Sequence, residues 1–399
     1  MQILKRTVSF TLVVVFLMFQ SVNYVCADGE VVPAVAQDTG ITEEMGYPEI
    51  SAKSAIVMEA TTGQILYEKN SQEQCSVSHL VKLMTLLKVQ QAIESGKFDL
   101  DTMHTTSSHA NLMGDPQIWL NVGEKISTDD LIKSITIGNA NDASVVLAEA
   151  VSSSEEAFVF DMNNEADKIG MDNTHFVNCT GIETQGQYSC ANDVALIAKE
   201  LLKYQDLEQY FMTWMLSIRD GQTELVSTNK LIRTYNGITG MKAAASSEAG
   251  NCLVATAKRG NLNLICVVLG SASPHSRFDE SKALLNTSFE QYQMFSPEIE
   301  AESLEPIKVK HGQQSEVDVD RIGTQGIVIK RGISNDVEVK VIREEEIEAP
   351  VEKAFEVGKI QYYIKDELIL EDKLVTIDEV KKIDIIFSFK KLFAKLLNI

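Results

Sequence analysis

Two lysines, two asparagines and a histidine are the residues of this 399-residue chain whose types and spacing could do chemistry. His79 and Lys82 stand three apart at the mouth of an apolar-periodic run, Leu80 to Glu94, so on a helix opening there they share a face. An amine one turn from a hydroxyl can take its proton and make it a nucleophile. An imidazole at position 79 has no such hydroxyl to offer. Ser78, four before Lys82, lies on roughly the same face, with its hydroxyl about 100° around the helix from residue 79. Cys75 with His79 suggests a thiol pair, but Cys75 should fall in the loop before the helix, where a free thiol is more often structural. Asn141 of Asn139-Ala140-Asn141 can donate to a bound peptide or simply serve its own turn. Lys242 could hold a carboxylate or pair with a neighbouring acid of this acidic chain.

Elements able to position these groups are legible in the pattern. Ala55 to Tyr67 reads as strand, Thr-Thr-Gly turn and strand. Helical spacing follows at Leu80 to Glu94, Thr128 to Thr136, Ala143 to Val151 and Glu155 to Ile169. Strands return at Gly250 to Lys258 and Leu262 to Leu269, turning near Gly260-Asn261. Strands at both ends of a helical middle predict an α+β domain over 49–293: a central antiparallel sheet flanked by helices. Alternating segments at Ile307 to Lys310, Gly326 to Lys330, Val337 to Ile342, Lys359 to Ile364 and Leu368 to Leu370 predict a small β domain over 294–380.

The two ends of the chain read differently. Lys5 and Arg6, the apolar run Phe10 to Phe19 and Val25-Cys26-Ala27 read as a signal peptide over 1–27, with a retained anchor or lipidation at Cys26 as weaker alternatives. A Gly, Pro and acid-containing linker over 28–48 follows. At the other end, 381–399 contains a stripe of Ile385, Phe389, Leu392, Phe393 and Leu396 beside Lys390, Lys391 and Lys395, the pattern of an amphipathic helix on an anionic membrane or packed on its own protein.

A formal charge of −21 makes nucleic acid a poor partner. Cys75, Cys179, Cys190, Cys252 and Cys266 remain after the leader, an odd number. Cys179 with Cys190 is the pair to test for a disulfide. Cysteine and histidine spacing suits no zinc site, and no metal or cofactor is expected.

Lys82-Leu83-Met84-Thr85, Ser54 to Asn70, Asn141-Asp142-Ala143, Asn173 to Asn178, Thr228-Asn229-Lys230-Leu231 and Ala249 to Arg259 together resemble the low-molecular-weight penicillin-binding proteins, the D-alanyl-D-alanine carboxypeptidases, in that family's order and about its spacing. The resemblance covers almost the full length. It implies a β-lactamase/transpeptidase-like domain, a β-rich C-terminal module, the outer face of the cytoplasmic membrane or cell wall as setting, and peptidoglycan as substrate. It also implies three catalytic motifs, and all three are altered. Val77-Ser78-His79-Leu80-Val81-Lys82 stands for Pro-Ala-Ser-Leu-Thr-Lys, so His79 occupies the nucleophile position. Asn139 replaces the serine of Ser-x-Asn and Asn141 remains. Met241-Lys242-Ala243-Ala244-Ala245 stands for Ile-Lys-Thr-Gly-Tyr/Phe: Lys242 keeps its charge, Ala243 lacks a hydroxyl, and Ala244 adds a methyl where substrate backbone should approach. The joint loss points to a pseudoenzyme that binds a wall stem peptide or a wall-synthesis protein. Alternatives are an active serine carboxypeptidase using Ser78, and a scaffold acting through its β domain.

Overall fold

The computed structural model describes residues 46–296, 304–323, 326–333 and 336–396; the expected signal peptide and nearly all of the expected linker lie outside them. The chain opens with β1 (Ser54–Glu59) and β2 (Ile65–Lys69), followed by α1 (Lys82–Glu94). Next come β3 (Met103–Thr105), α2 (Ser108–Asn111), β4 (Lys125–Ser127), α3 (Thr128–Thr136), α4 (Asn141–Ser152), α5 (Glu155–Ile169) and α6 (Ala191–Leu201). Ser127 and Ser154 cap α3 and α5 by accepting from the backbone N–H of Asp130 and Ala157, and acids fill both first turns, complementing the helix dipole. α7 (Glu208–Met212), the hairpin β5 (Met215–Ile218) and β6 (Thr223–Val226), and α8 (Leu231–Thr234) lead to β7 (Ile238–Ser246), β8 (Gly250–Arg259) and β9 (Leu262–Ser271).

Five strands form an antiparallel sheet in the order β2-β1-β9-β8-β7. Alternation along the strands buries both faces. Ile56, Val254, Ile265 and Val267 turn toward α1, α4 and α6, while Ala55, Leu253, Leu264 and Val268 turn toward α9 (Ser276–Gln291) through Phe278, Leu285 and Phe289. Beyond α9, β10 (Tyr292–Phe295) pairs with β14 (Ile327–Lys330). β11 (Ile307–Lys310), β12 (Glu316–Val317) and β16 (Glu346–Glu348) make a small sheet. β13 (Val319–Ile322), β18 (Glu367–Thr376), β17 (Glu356–Ile364) and β15 (Val337–Arg343) make another. α10 (Ile385–Leu396) closes the described chain.

One expectation is corrected and one open question is answered. The helix expected from Leu80 begins instead as a 3₁₀ turn, Ser78–Val81, and becomes α-helical only at Lys82. Cys179 and Cys190 are both free: the Cys190 sulfur accepts from the Asp193 N–H and caps α6, while Cys179 packs in the core under α1. Burial pushes the Cys190 thiol up to about 12, so it is inert at neutral pH.

Candidate functional site

Lys82 is the hub. As the first residue of α1 it is fully buried, and its Nζ reaches three acceptors: Asn141 Oδ1 at 2.6 Å, the Thr180 carbonyl, and His79 Nδ1 at 3.1 Å. Burial first, and then the charge of Lys242, hold its amine well below the ordinary lysine range. In a 3₁₀ turn residues three apart eclipse, which is why His79 sits directly over Lys82. His79 Nδ1 is also 3.0 Å from the Thr180 carbonyl, donating to it or accepting from Lys82 according to tautomer. Burial, with Lys82 second, pushes the imidazole down to about 4, so it is neutral at pH 7.

The same turn takes Ser78 away from the lysine. At three residues per turn its hydroxyl lies about 120° from the His79 direction. Its backbone is left-handed, with φ at +49°, and among the described residues its buried Oγ has no hydrogen-bond partner. Opposite it Gly181 is indispensable, since a Cβ there would lie 2.2 Å from the Ser78 carbonyl oxygen. The irregular run Thr180 to Glu183 thus lies across the start of α1. Its far end is tied down where Glu183 accepts from the Glu248 N–H at 2.9 Å and from Ser247 Oγ at 3.3 Å, on the β7–β8 turn.

Asn141 anchors the second wall. Beyond accepting from Lys82, it donates Nδ2 to the Gly114 carbonyl at 2.8 Å and its backbone N–H to Pro116 at 2.7 Å. Asn139, left-handed with φ at +60°, donates to the Ala243 carbonyl on β7 at 3.3 Å, while its buried Oδ1 is unpartnered among the described residues. That Ala243 carbonyl also accepts from Thr228 Oγ1 at 3.2 Å.

Lys242 turns inward. Its Nζ donates to the carbonyls of Ile135 at 2.7 Å and Thr136 at 3.4 Å, at the end of α3, and burial lowers it to about 7. Neither Lys242 nor Lys82 forms an ion pair among the described residues, so the acid-pairing alternative is not found; backbone carbonyls meet Lys242, and a carbonyl, an amide and an imidazole meet Lys82. Ala243 and Ala244 are buried, and Ala244 offers its carbonyl to Arg277 at 2.6 Å.

The residues expected from sequence, His79, Lys82, Asn139, Asn141, Lys242 and Ala243, therefore do converge between α1, the α3–α4 junction and β7. Thr180, Gly181 and Glu183 complete the site, and only the glycine at 181 could have signalled them. Chemically the cluster can hold and relay protons between the Lys82 amine and the His79 imidazole. It presents no hydroxyl to the amine of Lys82.

Sheet, helical half and β-rich tail together define the fold of the low-molecular-weight penicillin-binding proteins. A family model described as D-alanyl-D-alanine carboxypeptidase matches residues 41–273, and one described as the penicillin-binding protein 5 C-terminal domain matches residues 289–382. The D-alanyl-D-alanine carboxypeptidase DacF of Bacillus subtilis is 36% identical over 89% of this chain and 92% of its own, and DacC of Escherichia coli is 30% identical over 84% and 86%. Penicillin-binding protein 5 of Haemophilus influenzae superposes with a TM-score of 0.73 at 26% identity, over 84% of this chain and 99% of that one. Penicillin-binding protein D2 of Listeria monocytogenes, solved in a cefotaxime-bound form, gives 0.56 at 27% identity over 61% and 98%. The chain belongs to the D-alanyl-D-alanine carboxypeptidase family of peptidoglycan metabolism.

Proposed function

We propose that this protein is a catalytically silent member of its family that binds wall stem peptides without cleaving them. The observation that carries the reading is the partner set of Lys82: an imidazole, an amide and a carbonyl, and no hydroxyl. Acyl transfer needs a nucleophile whose proton the amine can take, and small misplacements are costly. Ser78, turned aside and left-handed, does not meet that need. Retained binding is supported by polar atoms a peptide could satisfy, namely Ser78 Oγ, Thr136 Oγ1 and Asn139 Oδ1, all buried and unpartnered among the described residues. It is supported too by Lys242, which a ligand carboxylate would keep protonated.

On this reading the protein works on the outer face of the cytoplasmic membrane, after removal of residues 1–27. α10, whose Ile385, Ile386, Phe389 and Phe393 are exposed rather than packed on the protein, lies on the anionic surface.

Incubation with a labelled penicillin and with a pentapeptide ending in D-alanyl-D-alanine tests it. Intact-mass spectrometry is expected to show no adduct and no D-alanine release. A stable adduct, above all one lost in Ser78→Ala, would overturn the silent reading.

A further inference from the structure

On the loop tied to the Lys82 site by Asn141 stands a tryptophan held outward against its backbone preference. Trp119 is 68% exposed and left-handed, with φ at +59°. For a bulky L-residue that conformation is strained and persists only where its surroundings enforce it.

Here they do so from both sides. The Ile118 N–H donates to both carboxylate oxygens of the buried Asp142, and the Leu120 N–H donates to Oδ2, each at 3.1 Å. The Ile118 carbonyl accepts from Arg219 Nη1 at 2.9 Å, and Arg219 is itself paired with Glu124 at 2.5 Å. The Leu120 carbonyl accepts from Asn111 Nδ2 at 2.7 Å. Ile118 and Leu120 are buried, so the alternation sends the indole out. The loop is continuous with the site, because Asn141, which receives Lys82, also ties down Gly114 and Pro116.

We propose that Trp119 is a stacking platform for an N-acetylated amino-sugar ring of the wall glycan, engaged while the attached peptide meets the Lys82 site. This deepens the stem-peptide reading and rests on it. A pyranose ring presents a flat C–H face that an exposed indole covers well. The amide and carboxylate groups of Asp115, Gln117 and Asn121 border the ring in sequence and can meet hydroxyl and acetamido groups. Such a sugar is neutral, which suits a chain of charge −21, whereas a second copy of the same chain would be repelled.

The chain has two tryptophans, so Trp214→Phe leaves Trp119 as sole indole reporter in the full-length protein. Titration with the peptide-free tetramer of N-acetylglucosamine is expected to give a saturable blue shift of its emission. Trp119→Ala should weaken the sugar about tenfold in an NMR titration of the acetyl methyls, about 1.4 kcal/mol, with Trp119→Phe falling between. Matching near-ultraviolet dichroism confirms that the variants fold. Unchanged emission at saturating sugar, equal affinity in Trp119→Ala, or a shift caused by sugar-free stem peptide alone would each overturn the platform. Penicillin adduct formation would overturn the silent reading of the Lys82 site and leave sugar binding as it is, so the two failures are distinguishable.

Discussion

The buried Lys82–Lys242 site and the terminal helix break the usual partition of residues in opposite directions. Around Lys82 and Lys242 two basic nitrogens are taken fully out of water, while along α10 large apolar side chains are left in it, Ile385 at 82% exposure. The buried amines are answered from within, each by acceptors of the fold itself. Among the described residues nothing covers the exposed side chains. A violation that is satisfied internally becomes structure, and one that is not becomes a demand for a partner.

Removing residues 384–399 tests the second half of that contrast and carries the largest expected effect. Burying Ile385, Ile386, Phe389 and Phe393 in a lipid interface is worth at least about 1 kcal/mol each, so partition onto anionic vesicles should fall by about a thousandfold. Flotation unchanged by the truncation would place the apolar demand elsewhere.

Lys82→Ala tests the first half. It strips Asn141 Oδ1 and the Thr180 carbonyl of their donor and opens a hole, and should cost about 3 kcal/mol in urea unfolding. A change below about 1 kcal/mol would mean the hub is not structural.

The titration of His79 is next. Its folded value, about 4, lies below the ordinary 6.5, so the unfolded chain binds the extra proton in that window. Stability is then full above pH 6.5 and falls by about 3 kcal/mol as the pH drops to 4. His79→Gln should flatten that slope. Lys242 acts the same way higher up: depressed to about 7, it makes stability climb from pH 7 toward 10.5, a rise that Lys242→Met should abolish.

Asn139→Ala gives the smallest effect. Losing one 3.3 Å hydrogen bond and putting alanine at φ of +60° should cost about 1 kcal/mol, readable as a shift in thermal midpoint.

Much of this architecture is legible in the sequence because its signals are local. The apolar runs of β1, β8 and β9 and the three-and-four spacing of α3 and α5 announce themselves. β7 does not: Lys242-Ala243-Ala244-Ala245 has the local preference of a helix, and only pairing with β8 makes it a strand. The resemblance to a family identifies the positions of His79, Asn139 and Lys242, but not their contacts. Where Lys242 points depends on carbonyls of Ile135 and Thr136, more than 100 residues away. Trp119 escapes notice for the same reason, since Asp142 and Arg219 set its backbone from distant parts of the chain.

The sheet order has a consequence in time. β1 lies between β2 and β9, and Ile56 waits for Val267, so its second neighbour is made roughly 200 residues later, on the order of 10–40 s at ordinary synthesis rates. Through that interval the β1–β2 hairpin carries Ala55, Ile56 and Val57 with one edge open, a segment apolar enough to pair with the wrong chain. Folding of this domain is thus expected to be limited by the arrival of its last strands, and its earliest hairpin is the segment that most needs shielding until then.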